Sequence, residues 1–344
     1  MYTTLKKVFG LLGLIICSTS VFAQDLHFSQ FFANPLTLNP ANSGLFVEDW
    51  RVSAIQRQQW NQINAGFNTT SIGADMNFKG GVLNQDVVGV SVNVYQDNMA
   101  SVIANQTLSL AGAYHHYLDG AKRHRVSAGI QGTYSQKKYD SEGWQFADQF
   151  DPYRYNPDKG SAESLDLNTI PNLNLNVGAI YAFRIKNNDH ISLGFSSYQL
   201  GSPKESLINS GNELSVRFSL ELSGNFALSP RVEIRPHILY MNQSRAKDFT
   251  PGFELKYSIN NELSIFAGTW YRTQDAFILL CGLGYKKVEL RFSYDQTTSG
   301  LKRITEAANV NSNVRVSAWE VSIVLKGILN RAVAGEFTVP CGIF

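Results

Sequence analysis

Residues Asn172-Leu173-Asn174-Leu175-Asn176-Val177-Gly178-Ala179-Ile180-Tyr181-Ala182-Phe183 put large apolar side chains on most odd positions and Asn or Gly on most even ones. The period is two. A strand sends alternate side chains to opposite faces, so one face carries Leu173, Leu175, Val177, Tyr181 and Phe183 while the other carries three asparagines. A helix would scatter both sets around its circumference. The same pattern recurs down the chain in segments of roughly ten residues with ends rich in Tyr and Phe, which is how a transmembrane β-barrel reads.

The 344 residues suffice for one large all-β domain, and a net charge of +2 supplies no basic field for nucleic acid. Lys6 and Lys7 precede an apolar run from Val8 to Ile16, and Val21-Phe22-Ala23 has small residues where a signal peptidase reads, so residues 1–23 are expected to be a cleaved signal peptide. That run is about half the roughly twenty residues a spanning helix needs. Ile16 is too bulky for Cys17 to serve as a lipoprotein site. No other stretch approaches about eighteen consecutive apolar residues, so a mature chain that enters a membrane does so as strands. Export followed by barrel insertion implies a Gram-negative outer membrane, with lipid as the surrounding partner. Only Cys281 and Cys341 remain after cleavage, which excludes a disulfide-dense scaffold and an all-cysteine metal site and leaves one bridge between them open.

Residues 24–49 form a leader dense in Asn-Pro and aromatic residues, with no sustained period. Asn-Pro steps favour turns and block sheet interiors. The leader is therefore expected to be ordered, as a lumen plug or a periplasmic cap. Strand-like runs follow at about 50–59, 68–78, 87–95, 105–116, 124–134, 172–184, 190–199, 214–227, 231–243, 251–259, 263–272, 275–285, 288–296 and 317–326. The expected fold is an all-β, antiparallel transmembrane barrel of about 14 strands over residues 50–327, followed by a periplasmic tail at 328–344. Connection lengths agree with short periplasmic turns and long external loops. The segments Ser135–Pro171 (external loop about 135–171), Gly201–Glu213 and Thr297–Arg315 are long. Lys186-Asn187-Asn188-Asp189, Ser229-Pro230, Asn260-Asn261-Glu262 and Lys286-Lys287 are compact turn signals. Thr273-Gln274 and the region of Gly80-Gly81 break this parity.

The faces are consistent with that arrangement. Val88, Val90, Val92 and Val94 would meet lipid while Gly89, Ser91 and Asn93 turn inward, and Leu214, Val216, Phe218, Leu220 and Leu222 oppose Ser215, Arg217, Ser219, Glu221 and Ser223. A cation at the lipid midplane costs about 2–4 kcal/mol, so these residues fix the register. From the eighth strand onward the lumen face collects Arg217, Glu221, Glu233, Arg235, Glu254, Lys256, Arg272, Glu289, Arg291 and Asp295, whose mixed signs on neighbouring strands suggest ion-pair ladders.

The leader and the C-terminal third together resemble the PorP/SprF family of outer-membrane proteins of the Bacteroidetes type IX secretion system. The likeness rests on Phe28-Ser29-Gln30-Phe31, Asn34-Pro35-Leu36 and Leu38-Asn39-Pro40-Ala41; on Trp270-Tyr271-Arg272 before Asp275-Ala276; on Ser293-Tyr294-Asp295; and on Trp319-Glu320-Val321-Ser322. Val339-Pro340-Cys341 is similar to the family's cysteine-containing tail, while Gly342-Ile343-Phe344 departs from it. The resemblance implies a barrel that works with periplasmic or outer-membrane components of that apparatus. It also implies support for export or surface anchoring of a large secreted adhesin or other cargo, in gliding motility or adhesion, and it implies no enzyme.

No catalytic constellation stands out, and no cofactor is called for. His115 and His116 are adjacent on a strand and point to opposite faces, so they cannot chelate one metal. Asp148, Asp151, Asp158, Glu163 and Asp166 lack the spacing of a calcium loop and read as a solvated segment. Trp144, Phe146, Phe150, Tyr153 and Tyr155 make that same segment too aromatic for mere solvation; they either fold the loop over the barrel mouth or contact a partner, and they are the candidate partner-binding residues. A diffusion porin or small-molecule channel is the alternative function. It gives no reason for an aromatic leader able to enter the lumen.

Overall fold

The computed structural model describes residues 28–61, 66–79, 85–99, 103–139, 147–151, 154–156, 158–159, 171–186, 189–202, 213–298 and 317–329. In chain order the strands are β1 (Trp50–Gln59), β2 (Phe67–Lys79), β3 (Val87–Met99), β4 (Ile103–Tyr117), β5 (His124–Tyr139), β6 (Phe150–Asp151), β7 (Arg154–Tyr155) and β8 (Pro171–Lys186). There follow β9 (Asp189–Tyr198), β10 (Arg217–Ser229), β11 (Val232–Gln243), β12 (Ala246–Ser258), β13 (Leu263–Arg272), β14 (Ala276–Tyr285), β15 (Val288–Thr297) and β16 (Ser317–Gly327). All but β6 and β7 close into one antiparallel barrel of fourteen strands, in which each pairs with the next, β5 pairs with β8, and β16 returns to β1. Closure satisfies the backbone hydrogen bonds that a lipid-facing sheet edge would leave unmade.

The period-two reading carries through to the side chains. On β3, Val90, Val92 and Val94 are exposed while Gly89, Ser91 and Asn93 are buried; on β10, Phe218, Leu220 and Leu222 are exposed while Arg217, Ser219 and Glu221 are buried. The exposed apolar residues form the lipid face. Two girdles of exposed aromatics border it. Tyr114, Tyr181, Tyr257 and Tyr285 lie toward the short-turn end, and Tyr134, Phe249, Tyr271 and Phe277 toward the other. The three long connections all leave from that other end, at residues 140–170, 199–216 and 298–316.

Several strands run further than the apolar pattern. Gln96-Asp97-Asn98-Met99 of β3 pairs with Ile103–Gln106, and β12 starts at Ala246 rather than at 251, joined to β11 by the two-residue turn Ser244-Arg245 with Ser244 at φ 54. These polar extensions pair above the apolar belt, where lipid no longer selects for hydrophobic side chains. In the opposite direction, β10 begins at Arg217, so Leu214, Ser215 and Val216 lie outside the strand and Ser215 is exposed rather than lumenal. Its carbonyl instead accepts a hydrogen bond from Gln243 Nε2 at 3.2 Å.

The short-turn end is expected to face the periplasm. In a variant with Cys281 and Cys341 replaced by serine, a cysteine at Lys186 or Lys287 should resist a membrane-impermeant thiol reagent on intact cells, and one at Asp158 should react. Strong labelling at Lys186 would invert the topology.

Candidate functional site: a lumen occupied by the leader

Residues 28–49 turn back into the barrel instead of extending it. Pro35 and Pro40 each open a short 3-10 turn, where the missing N–H costs nothing, and Asn39 Oδ1 caps the second by accepting the Ala41 N–H at 2.9 Å. Phe28, Ser29, Gln30, Asn34, Asn39 and Pro40 are buried and Pro35 is half-buried.

The segment runs around most of the inner wall. Ser43 and Gly44 lie against β2–β4, with Ser91 Oγ donating to Ser43 Oγ at 2.6 Å and Asp75 accepting the Gly44 N–H at 3.1 Å. Asn39 donates to the carbonyls of Ala179 and Phe195, at 3.3 and 3.2 Å. Ser196 donates to the Leu38 carbonyl, the Tyr198 hydroxyl to that of Leu36, and Arg217 to that of Thr37. Phe31 and Leu38 then bury themselves on Leu239, Met241, Phe266, Trp270, Ile278 and Leu280, the inward apolar patch of β11–β14. Burying a side chain such as Phe31 contributes about 1.5–3 kcal/mol.

Ser29 and Gln30 meet a cluster of buried charges. The Glu320 carboxylate accepts the backbone N–H of Ser29 at 2.7 Å and of Gln30 at 2.8 Å. Arg57, its cross-strand partner across the β1–β16 seam, donates to Glu320 and, at 3.1 Å, to Asp295. The Ser29 hydroxyl donates to Asp295 at 2.5 Å and accepts from Arg57 at 2.9 Å and Arg272 at 2.8 Å. Gln30 Nε2 donates to Ser293 Oγ and to the Glu320 carbonyl, while its Oε1 accepts the Ser322 hydroxyl at 2.6 Å. Arg272 also pairs with Asp248 at 3.5 Å and with Asp275 at 3.0 Å, so each buried guanidinium faces more than one carboxylate, which is the condition for burying such groups.

Glycines make room for this path. A Cβ on Gly178 would lie 1.9 Å from Asn39 Oδ1, and one on Gly89 1.9 Å from the Ser43 carbonyl oxygen.

A second charge network lies nearer the short-turn end. Glu254 pairs with Arg235 at 3.0 Å and, across the intervening β13 and β14, with Arg291 at 2.9 Å. Arg291 also pairs with Glu289, which Lys326 joins, and Glu233 receives Arg235 and Lys256. The Arg291 guanidinium lies 3.9 Å from the Phe266 ring centroid and 5.1 Å from that of Phe32, so the network also supports the leader. Two further lumen charges lie outside this network. Arg217 lies over the Tyr198 ring at 4.2 Å, and Glu221 Oε2 has no hydrogen-bond partner among the described residues.

His115 points inward between Ser127 Oγ and the Ser43 carbonyl, both at 2.8 Å, whereas His116 points outward to Asp86. Asp86, in the turn before β3, also accepts from the Tyr114 hydroxyl, and these bonds hold its carboxyl down at about 2. Among the described residues no group of three or more His, Cys, Asp or Glu could hold a metal. Of the aromatic candidates in the long connection, Phe150 and Tyr155 form a ring pair at 5.7 Å across the β6–β7 hairpin, and Phe150 is 43% exposed. Trp144, Phe146 and Tyr153 lie outside the described residues, as do Glu163, Asp166 and Cys341. Sequence reading missed Arg57 and the inward apolar patch. Arg57 sits in a polar run, Gln56-Arg57-Gln58-Gln59, with no alternation to assign it a face.

Arg57→Met strands Glu320 without its cation, and the cost is expected to be about 3–5 kcal/mol. The readout is the denaturant midpoint of the folded barrel in detergent. Lys286→Ala, at an exposed turn, should leave the midpoint unchanged. Equal midpoints for Arg57→Met and wild type would exclude the buried pair.

A search of curated proteins finds no match to this sequence. Solved structures similar to it include the Ralstonia pickettii toluene transporter TbuX, with TM-score 0.52 at 10% identity over 86% of this chain and 94% of that one. The CymD monoaromatic hydrocarbon channel gives 0.52 at 9% identity over 86% and 93%, and a deletion mutant of the TodX monoaromatic hydrocarbon channel gives 0.51 at 11% over 84% and 92%. At such identities the likeness shows a shared barrel fold. The profile of the type IX secretion system membrane protein PorP/SprF matches residues 20–312, which include the whole leader and every strand from β1 to β15. With a closed barrel, a lipid-facing belt and that match over most of its length, the chain belongs to the PorP/SprF family of outer-membrane type IX secretion proteins.

Proposed function

We propose that the protein supports export or surface anchoring of a large adhesin-like cargo of the type IX system, in adhesion or gliding motility, as a docking barrel rather than as a diffusion route. The observation that carries this reading is the leader in the lumen, hydrogen-bonded to the walls from β2 around to β16. A barrel filled in this way offers partners its rims and loops. The long-connection end carries the aromatic segment with Trp144, Phe146, Phe150, Tyr153 and Tyr155, and loops on a rigid scaffold are where recognition is usually placed. Other type IX components meet the protein at the membrane or from the periplasm.

The alternative is a small-molecule channel, favoured by the similarity in fold to monoaromatic hydrocarbon channels. Two measurements separate the readings. In planar bilayers the wild-type protein should show no large stable conductance, whereas Gly178→Val, which drives a side chain into Asn39, should raise it. A large open pore in the wild type would favour the channel. In cells, serine at Trp144, Phe146 and Tyr153 should leave the barrel assembled while cargo is lost to the medium or retained inside. Unchanged cargo display with a raised conductance would make the segment a lid instead of a dock.

A further inference from the structure

The barrel and the leader are separable in their bonding. Every barrel strand has two strand neighbours, and the leader adds no strand to the sheet. Its covalent tie is the short connector 45–49, in which Val47 is 89% exposed. Where the leader touches the wall, the contacts are those of a sequence-reading pocket. At position 29 the hydroxyl is required twice over, as a donor to Asp295 and as an acceptor from Arg57 and Arg272. At position 30 the carboxamide makes three bonds, to Ser293, Ser322 and the Glu320 carbonyl, and a carboxylate there would set a further negative charge beside Glu320 and Asp295. The consecutive backbone N–H groups of both residues are held by the Glu320 carboxylate, a charge-assisted arrangement that needs the turn the chain makes at Ser29-Gln30 and that an extended peptide, with alternate N–H groups pointing apart, could not meet. Downstream, the apolar wall takes an aromatic at position 31, stacked on His237 with ring centroids 4.1 Å apart.

We infer that the lumen is a peptide-binding site, selective for an aromatic-Ser-Gln-aromatic segment followed by Asn-Pro, and that Phe28–Gly44 occupies it as a ligand whose binding does not need its covalent tie. A peptide of this class supplied in trans exchanges with the chain's own leader, and when the site empties its buried charges are rehydrated in the lumen. The inference stands apart from cargo docking, since it concerns the inner wall and is read without any cargo.

The test keeps the whole chain intact through folding. A protease recognition sequence inserted between Val47 and Glu48 is cut after the barrel has been folded and purified in detergent. The cut leader should stay with the barrel through gel filtration, and an excess of fluorescent synthetic peptide of residues 24–46 should displace it. The same peptide carrying Gln30→Ala or Ser29→Ala should compete at least tenfold less well, because each change leaves buried polar groups without partners. A scrambled peptide should not compete. The proposal is overturned if the cut leader departs and the native peptide does not rebind, if excess native peptide fails to displace the cut leader, or if the Gln30→Ala peptide competes as well as the native one.

Discussion

Buried charges at and beside the seam where the barrel closes set the terms for the rest of the molecule. Arg57 on the first strand and Glu320 on the last are cross-strand partners, and Asp295 and Arg272 complete the group. None of them tolerates burial alone, since an unpaired charge in a region without water costs several kcal/mol. The leader brings two N–H groups and a hydroxyl to the same place. The strands close through their own backbone pairs, and the leader docks on the charges they bring together. Arg57 and Glu320, paired across that seam, also hold Ser29, and Glu320 holds Gln30.

The outer face obeys a looser constraint, because lipid asks only that side chains be apolar, with aromatics at the two borders. The inner face is specified residue by residue. Gly178 and Gly89 yield space to the leader's passage, serines on β3, β9, β15 and β16 meet its polar atoms, and β11–β14 supply an apolar patch for Phe31 and Leu38.

This difference explains what the sequence disclosed. The strand count, the lipid face and the inward direction of the lumen charges follow from local alternation, as in Leu173 to Phe183 or Phe218 to Leu222, because each strand must satisfy lipid by itself. The polar strand ends, such as Gln96–Asn98 and Ala246–Asp248, carry no such signal, so the sequence places these strand ends too short. The leader was recognisable as ordered from its Asn-Pro steps. Its seat was not legible, because Ser29 meets Glu320 across 291 positions of sequence and Gln30 is satisfied by Ser293 and Ser322 on two strands at once. No local rule links such positions. The inward Phe266, Trp270 and Ile278 were hidden for a related reason: with apolar residues on both faces of β13 and β14, alternation is lost.

The most direct test of the leader's place in the lumen is a disulfide between Ser43→Cys and Ser91→Cys, in a background with Cys281 and Cys341 replaced by serine. The two hydroxyl oxygens lie 2.6 Å apart, so the substituted thiols fall within bonding reach. In isolated outer membranes, mild oxidation should link the pair nearly completely while the barrel keeps its heat-modifiable migration. A correctly folded barrel in which these cysteines stay reduced and unlinked would contradict the account.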